Sequence, residues 1–177
     1  MIIITIASIV AILLILVFFY GFIVSLRSAP FIPIPKNDFQ MIIKHLQLQD
    51  DSVFCDLGSG DGRVIEAVLQ SNNHVTAIGY EINPYARFAS WIRLRRFNDR
   101  AKVFNTDLYK ANLKDVSHIF MYLIPSALEK LEPLFNKQLT NTRVVSVNFK
   151  FPHKQSIDEI NVSNPHQTIK KLYVYEW

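Results

Sequence analysis

From Ile2 to Val24 the chain carries no charged side chain, and only Thr5, Ser8 and Tyr20 bring polar groups into the run. Few folds accept such a stretch: it suits a membrane span or a secretory leader. As a helix it would reach about 35 Å, enough to cross a hydrocarbon core of about 30 Å with some tilt. A leader needs a basic start and a small-x-small cleavage site. Here Met1 runs straight into isoleucines, and the exit from Gly21 to Arg27 is a poor cleavage site. The expectation is an uncleaved transmembrane anchor over residues 1–26, with the lipid bilayer contacted through residues 2–24. Arg27 and Lys36 follow the run, and the whole chain is net +4. The positive-inside rule then predicts a single-pass protein with its remaining domain on the cytoplasmic side, or the matrix side of an organelle.

A chain of 177 residues has room for that anchor and one further domain. Between them, Ala29 to Pro35 places prolines at 30, 33 and 35. Alternating prolines forbid helix and hold the backbone extended. Residues 27–37 therefore read as a Pro-rich linker, a spacer whose Phe31, Ile32 and Ile34 also suit packing against the domain. The domain, residues 38–177, opens with Phe39, Ile42, Ile43 and Leu46 at helical spacing, capped by Asn37 or Asp38. Strands are predicted at 53–57, 74–80, 101–105, 117–123 and 143–149, with helices around 64–69, from 84 to about 97, and at 126–139. The alternation of residues 168–177 reads as an edge strand. Strands separated by helical stretches indicate parallel βαβ units. The fold class expected is α/β, a Rossmann-like, mostly parallel sheet with an antiparallel edge strand. Cys55, the one cysteine, lies in an apolar run and reads as a small buried hydrophobe.

The chemistry concentrates in Asp56-Leu57-Gly58-Ser59-Gly60-Asp61-Gly62-Arg63, which ends the first strand and opens a helix. Glycines there permit a tight turn and let a ligand approach the backbone amides at the helix start. The spacing is G-x-G-x-G, with Arg63 where a dinucleotide fingerprint would place its last glycine. Glu81 closes the second strand, where a carboxylate can grip a ribose diol, and Asp107 follows the third. Three acids ending three consecutive strands put acceptors along one rim of a parallel sheet, where open α/β sheets bind ligands.

An acid followed by G-x-G-x-G resembles motif I of the class I S-adenosylmethionine-dependent methyltransferases. In those enzymes the turn wraps the methionine end of the cofactor, and an aspartate in the place of Asp107 meets the adenine amino group. Further segments narrow the resemblance: Pro30-Phe31-Ile32-Pro33, Gly79-Tyr80-Glu81-Ile82-Asn83-Pro84, Asp107-Leu108-Tyr109-Lys110, Tyr122-Leu123-Ile124-Pro125 and Phe149-Lys150-Phe151-Pro152 occur in order. Together they resemble the membrane-associated protein-lysine N-methyltransferases whose mitochondrial members modify the ATP synthase c-subunit and the adenine nucleotide translocase. Tyr109 stands where that family carries tryptophan. The resemblance implies S-adenosylmethionine as cofactor, held by Asp56, Gly58, Ser59, Gly60, Gly62, Glu81, Asn83 and Asp107. It implies a protein partner at the membrane, N-methylated on lysine. Tyr122 is either a core aromatic or the acceptor beside the transferred methyl, with Asp107 the other polar group nearby.

The Asn/Asp-Pro-Pro-Tyr/Phe motif of DNA-adenine and glutamine methyltransferases is absent, since Tyr122 to Pro125 occupies that stretch. Nucleic acid is accordingly not the expected substrate. The five histidines lack metal-ligand spacing, so no metal is expected. Arg87, Arg93, Arg95, Arg96 and Arg100 crowd one helix and its exit, as a solvated face or a contact for anionic lipid or an acidic partner. Two other readings stand beside protein lysine: methylation of a lipid, quinone or other small molecule, and a non-catalytic nucleotide-binding or assembly factor.

Overall fold

The computed structural model describes residues 2–27, 32–162 and 167–177, so Pro30 and Phe31 of the linker lie outside the described residues. The parallel part of its sheet centres on strand β1 (Val53–Leu57), flanked by β2 (Thr76–Tyr80) and β4 (His118–Met121), with β3 (Ala101–Phe104) beyond β2 and β5 (Arg143–Val147) beyond β4. These five strands are parallel. After β1 the chain moves outward on one side through β2 and β3, then crosses to the other side through β4 and β5. The topological switch point, where such sheets bind ligands, therefore lies between β1 and β4.

The antiparallel edge contains two strands. β7 (Lys171–Glu176) pairs with β5 and is covered by β6 (Asp158–Asn161), so the terminal strand is not outermost. β6 was not legible beforehand because Asp158-Glu159-Ile160-Asn161 is polar and short. It becomes a strand by pairing with the free edge of β7, with Ile160 opposite Leu172.

Helices cover both faces. α2 (Phe39–Leu46), α3 (Arg63–Ser71) and α4 (Pro84–Leu94) share a core with Phe54, Phe120 and Val145, whereas α5 (Pro125–Gln138) packs with Cys55, Leu57 and Ile119 on the other face. α3 forms because Val64, Ile65, Val68 and Leu69 fall on one stripe, and all four are buried. Each contributes roughly 1.5–3 kcal/mol relative to exposure. α4 ends at Leu94, before the expected Phe97. The backbone tightens to a 3₁₀ turn over Arg95–Arg100, with Asn98 at φ 49°.

At the entry to the domain one expectation is corrected and another is met. Asp38 occupies the N-cap position of α2 but accepts no capping hydrogen bond. Its carboxylate is instead fully buried, with neither oxygen partnered among the described residues, an unfavourable placement for a polar group. The linker packs on the domain as expected: Ile34 is buried in the core of α2 and α3, and its carbonyl accepts from the Arg63 guanidinium at 3.2 Å. The apolar run forms α1 (Ile2–Arg27), long and apolar enough to cross a membrane over Ile2–Ile23, with every side chain from Ile2 to Tyr20 exposed.

Candidate active site

A cavity of about 530 Å³ opens at the carboxyl ends of β1, β2 and β4. Asp56, Gly58, Ser59, Glu81, Asn83, Asp107 and Tyr122 all line it, so most of the residues singled out in the sequence converge on one space. Gly60 and Gly62 do not line it. They shape the turn beneath.

That turn is built from backbone contacts. The Gly58 and Ser59 amides both donate to the Tyr80 carbonyl, at 3.0 and 3.1 Å, tying the end of β1 to the end of β2. Gly60, at φ 54°, presents its amide to Glu81 Oε2 at 2.8 Å. Glu81 Oε1 accepts from the Asn83 amide at 2.7 Å. The Glu81 carboxylate thus bridges the glycine turn and the start of α4, each oxygen held by one N–H with a further lone pair left toward the cavity. Gly62 sits at φ 76°, where an added Cβ would fall 2.6 Å from Ser90 Oγ, so only glycine lets α4 lie this close.

Asp56 is 3% exposed and lines the cavity, and its carboxylate has no hydrogen bond or ion pair among the described residues. Burial, then the charges of Glu81 and Asp61, push its carboxyl well above the usual range. A buried carboxylate that lines a cavity and has no ion pair among the described residues is a candidate to receive a cationic ligand. Asp61, five residues on, behaves oppositely. Burial acts to raise it, but the hydrogen bonds and charge of Arg63 and the charge of Arg93 outweigh this and hold it below the carboxylate range. Arg63 and Arg93 both reach Asp61 Oδ2, at 2.8 and 2.9 Å, and Arg93 also pairs with Glu66. The cluster clamps the glycine turn between α3 and α4. The arginines read as a surface group are therefore divided: Arg93 and Arg96 serve Asp61 and Glu66, and Arg100 donates to the carbonyls of Leu69, Asn72 and Val75.

Asn83 is a helix cap. Its Oδ1 accepts from the amides of Tyr85 and Ala86, which starts α4 with Pro84 in the first turn. Asp107 likewise accepts from the Tyr109 amide, at 3.1 Å, in the turn following β3. Tyr122 is half-buried, and its hydroxyl oxygen accepts from Asn148 Nδ2 at 3.2 Å. Asn148 follows β5 at φ 62°, with Oδ1 accepting from the amides of Lys170 and Lys171. The segment after it is pinned where the Phe151 amide donates to the Tyr175 hydroxyl inside an aromatic cluster. Burial pushes that hydroxyl up to about 12, so it stays a neutral acceptor.

Ile32 and Ile34, linker residues expected to pack on the domain, form one wall with Pro33. Two contributors escaped the sequence reading. Lys130, on α5, places a cation at the cavity wall and lies 6.0 Å from the Tyr109 ring centre. Asn148 stands beside Tyr122 only through pairing of β5 with its neighbours. Its place before the aromatic-Lys-aromatic-Pro segment was the available signal.

Comparison with known proteins identifies the family and the fold. Residues 56–158 match the family described as the ANTKMT methyltransferase domain. The human ATP synthase c-subunit lysine N-methyltransferase is 31% identical over 129 residues, covering 70% of this chain. This chain spans about half the length of that enzyme, 53%. A protein-lysine N-methyltransferase from Saccharolobus islandicus is 27% identical over 80% of this chain and 84% of its own length. Among solved structures, an RNA methyltransferase from Salinibacter ruber with bound S-adenosyl-L-homocysteine superposes with a TM-score of 0.75, at 24% identity, over 82% of this chain and 93% of that one. At that identity the likeness establishes the fold.

Proposed function

Because the chain belongs to the ANTKMT methyltransferase-domain family, we propose that it is a membrane-anchored, S-adenosylmethionine-dependent protein-lysine N-methyltransferase. The observation that carries the reading is Asp56, a buried carboxylate, unpartnered among the described residues, in a cavity ringed by Glu81 and Asp107. Its chemistry fits a ligand that brings both an ammonium and a sulfonium charge. Asp56 and the turn Gly58-Ser59-Gly60-Asp61-Gly62 would hold the methionine end, Glu81 the ribose diol, and Asp107 the adenine amino group. Asn83 supports the ribose site by donating its amide to Glu81 and capping α4.

S-adenosylmethionine supplies an electrophilic methyl, and the chain's task is to present a neutral amine in line with it. A lysine amine is ordinarily protonated, with a reference pKa of about 10.4. It must lose its proton before it can attack. Tyr122, fixed by the Asn148 amide group, would accept an N–H of the incoming amine and aim its lone pair. Tyr122→Phe should lower kcat by about 10- to 100-fold while cofactor affinity stays within about twofold, as expected when an orienting contact is lost. Equal loss in cofactor binding, measured by equilibrium dialysis, would return Tyr122 to the core.

The proposed anchor is α1, with residues 27–37 joining it to the catalytic domain at 38–177. Arg27 and Lys36 favour the domain on the cytoplasmic or matrix side. A membrane-associated protein substrate follows from the anchor and from the kinship with enzymes named for protein lysines. The test is transfer of labelled methyl from S-adenosylmethionine into membranes, then separated into protein, lipid and nucleic-acid fractions. Methyl-lysine in a protein band is the expected result. Label confined to lipid would replace the substrate reading, and no label would leave a binding domain.

A further inference from the structure

α4 turns its apolar side outward. Tyr85, Phe88, Trp91 and Ile92 lie at helical spacing, and Phe88 and Trp91 are each 62% exposed with their rings stacked at 5.9 Å. The opposite face, with Ser90 and Leu94, is the one packed into the domain. An exposed aromatic stripe of this kind marks an interaction surface. Behind it a groove of about 550 Å³ runs between α4 and β3, bordered by Arg87 and Arg95. Among the described residues neither arginine has an ion pair, and Arg87 Nε is buried without a partner. The other arginines of this region are committed to Asp61, Glu66 and backbone carbonyls.

The position of α4 relative to α1 says what covers this face. Tyr85 donates its hydroxyl to the Phe18 carbonyl at 3.1 Å. A Cβ at Gly21 would collide with the Tyr85 ring, so glycine there allows the two helices to meet. The contact falls at the end of the apolar stretch Ile2–Ile23 nearer the domain. With α1 as a span, α4 therefore sits at the level where the span leaves the hydrocarbon, the depth at which Trp and Tyr are enriched.

We propose that the outer face of α4 docks on a bilayer containing anionic phospholipid, with Phe88, Trp91 and Ile92 at the headgroup boundary and Arg87 and Arg95 receiving lipid phosphate in the groove. This rests on the reading of α1 as a membrane span. Aromatic insertion beside basic groups without ion pairs is the chemistry of an interfacial helix. Ile82, Asn83 and Ala86 at the start of α4 line the active-site cavity, so docking holds its mouth at the membrane surface.

Trp91 is its own probe. The second tryptophan, Trp177, is packed on Phe135, Phe151 and Tyr175, and a Trp91→Phe variant supplies its background signal. The full chain is reconstituted into phosphatidylcholine vesicles with and without phosphatidylserine. Trp91 emission should shift to the blue, be quenched by lipids brominated near the headgroup, and lose about threefold in acrylamide quenching relative to detergent. The lipid quenching should be stronger with phosphatidylserine, and Arg87→Gln with Arg95→Gln should remove that increment. Trp91 as open to acrylamide in vesicles as in detergent would overturn the proposal. So would protection without lipid quenching, which points to a second copy or another protein on this face. Flotation with the vesicles reports α1 separately: a chain that floats with Trp91 exposed loses only the docking surface, whereas a chain that does not float loses the span and the docking with it.

Discussion

Asp56→Asn is expected to weaken S-adenosylmethionine binding by about a hundredfold, roughly 3 kcal/mol, as for removal of one partner of a buried charge pair. The same change should raise the melting temperature of the cofactor-free protein at neutral pH. Both effects come from a carboxylate that burial, Glu81 and Asp61 together push well above its ordinary value. The folded pKa exceeds the unfolded one, so stability from this group is fully present below the unfolded value. It is lost as pH rises through the raised folded value. The asparagine variant should lack that decline. Binding runs the other way, because a cationic ligand favours the carboxylate. Affinity should fall as pH drops through the raised value, and release of a proton should accompany binding near it. Calorimetry in buffers of different ionisation enthalpy, with thermal melts across the same pH range, measures each part. Unchanged affinity in the variant would remove Asp56 from the cofactor site.

Gly60→Arg should abolish detectable cofactor binding, a loss of more than about a hundredfold. Gly60 holds φ 54°, where an L side chain is strained, and its amide is one of the two N–H groups that fix Glu81. A side chain there disturbs the turn and the Glu81 carboxylate together, although Gly60 does not itself line the cavity. Gly60→Ala separates the two causes. It keeps the backbone amide and adds only a methyl, so it should give a smaller loss with near-native far-ultraviolet dichroism. Full binding by the arginine variant would detach the glycine motif from the cofactor.

The ends of the strands illustrate what could be read in advance. β1 fell on the expected residues Val53–Leu57 because an apolar run meets glycine at once and no longer strand can form. α4 was expected to run on to Phe97, yet it stops at Leu94, where Arg100 reaches back to carbonyls of α3 and the β2 approach. That contact spans 25 residues or more in sequence, and helical periodicity carries no trace of it.

The arginines show the same division. As a run in the sequence they form one basic group, but their partners are chosen by the packing of α4 on α3. Asp61 and Glu66 take Arg93 and Arg96, and the remaining Arg87 and Arg95 are left at the groove. Asp38 likewise reads as a helix cap from its neighbours, and becomes a buried carboxylate without a partner among the described residues in the folded domain.

By itself the sequence determined the apolar helix, the alternation of strands and helices, the glycine turn and the three strand-end acids. These follow from residue periodicity and from turn chemistry within a few residues, which act before any distant contact exists. Only the tertiary structure decided that Ile32 to Ile34 wall the cavity, that Asn148 holds Tyr122, that β6 covers β7, and that α4 meets α1 with its aromatic side outward. Each of these joins residues far apart in the chain, so it depends on which surfaces remain uncovered once the sheet has assembled.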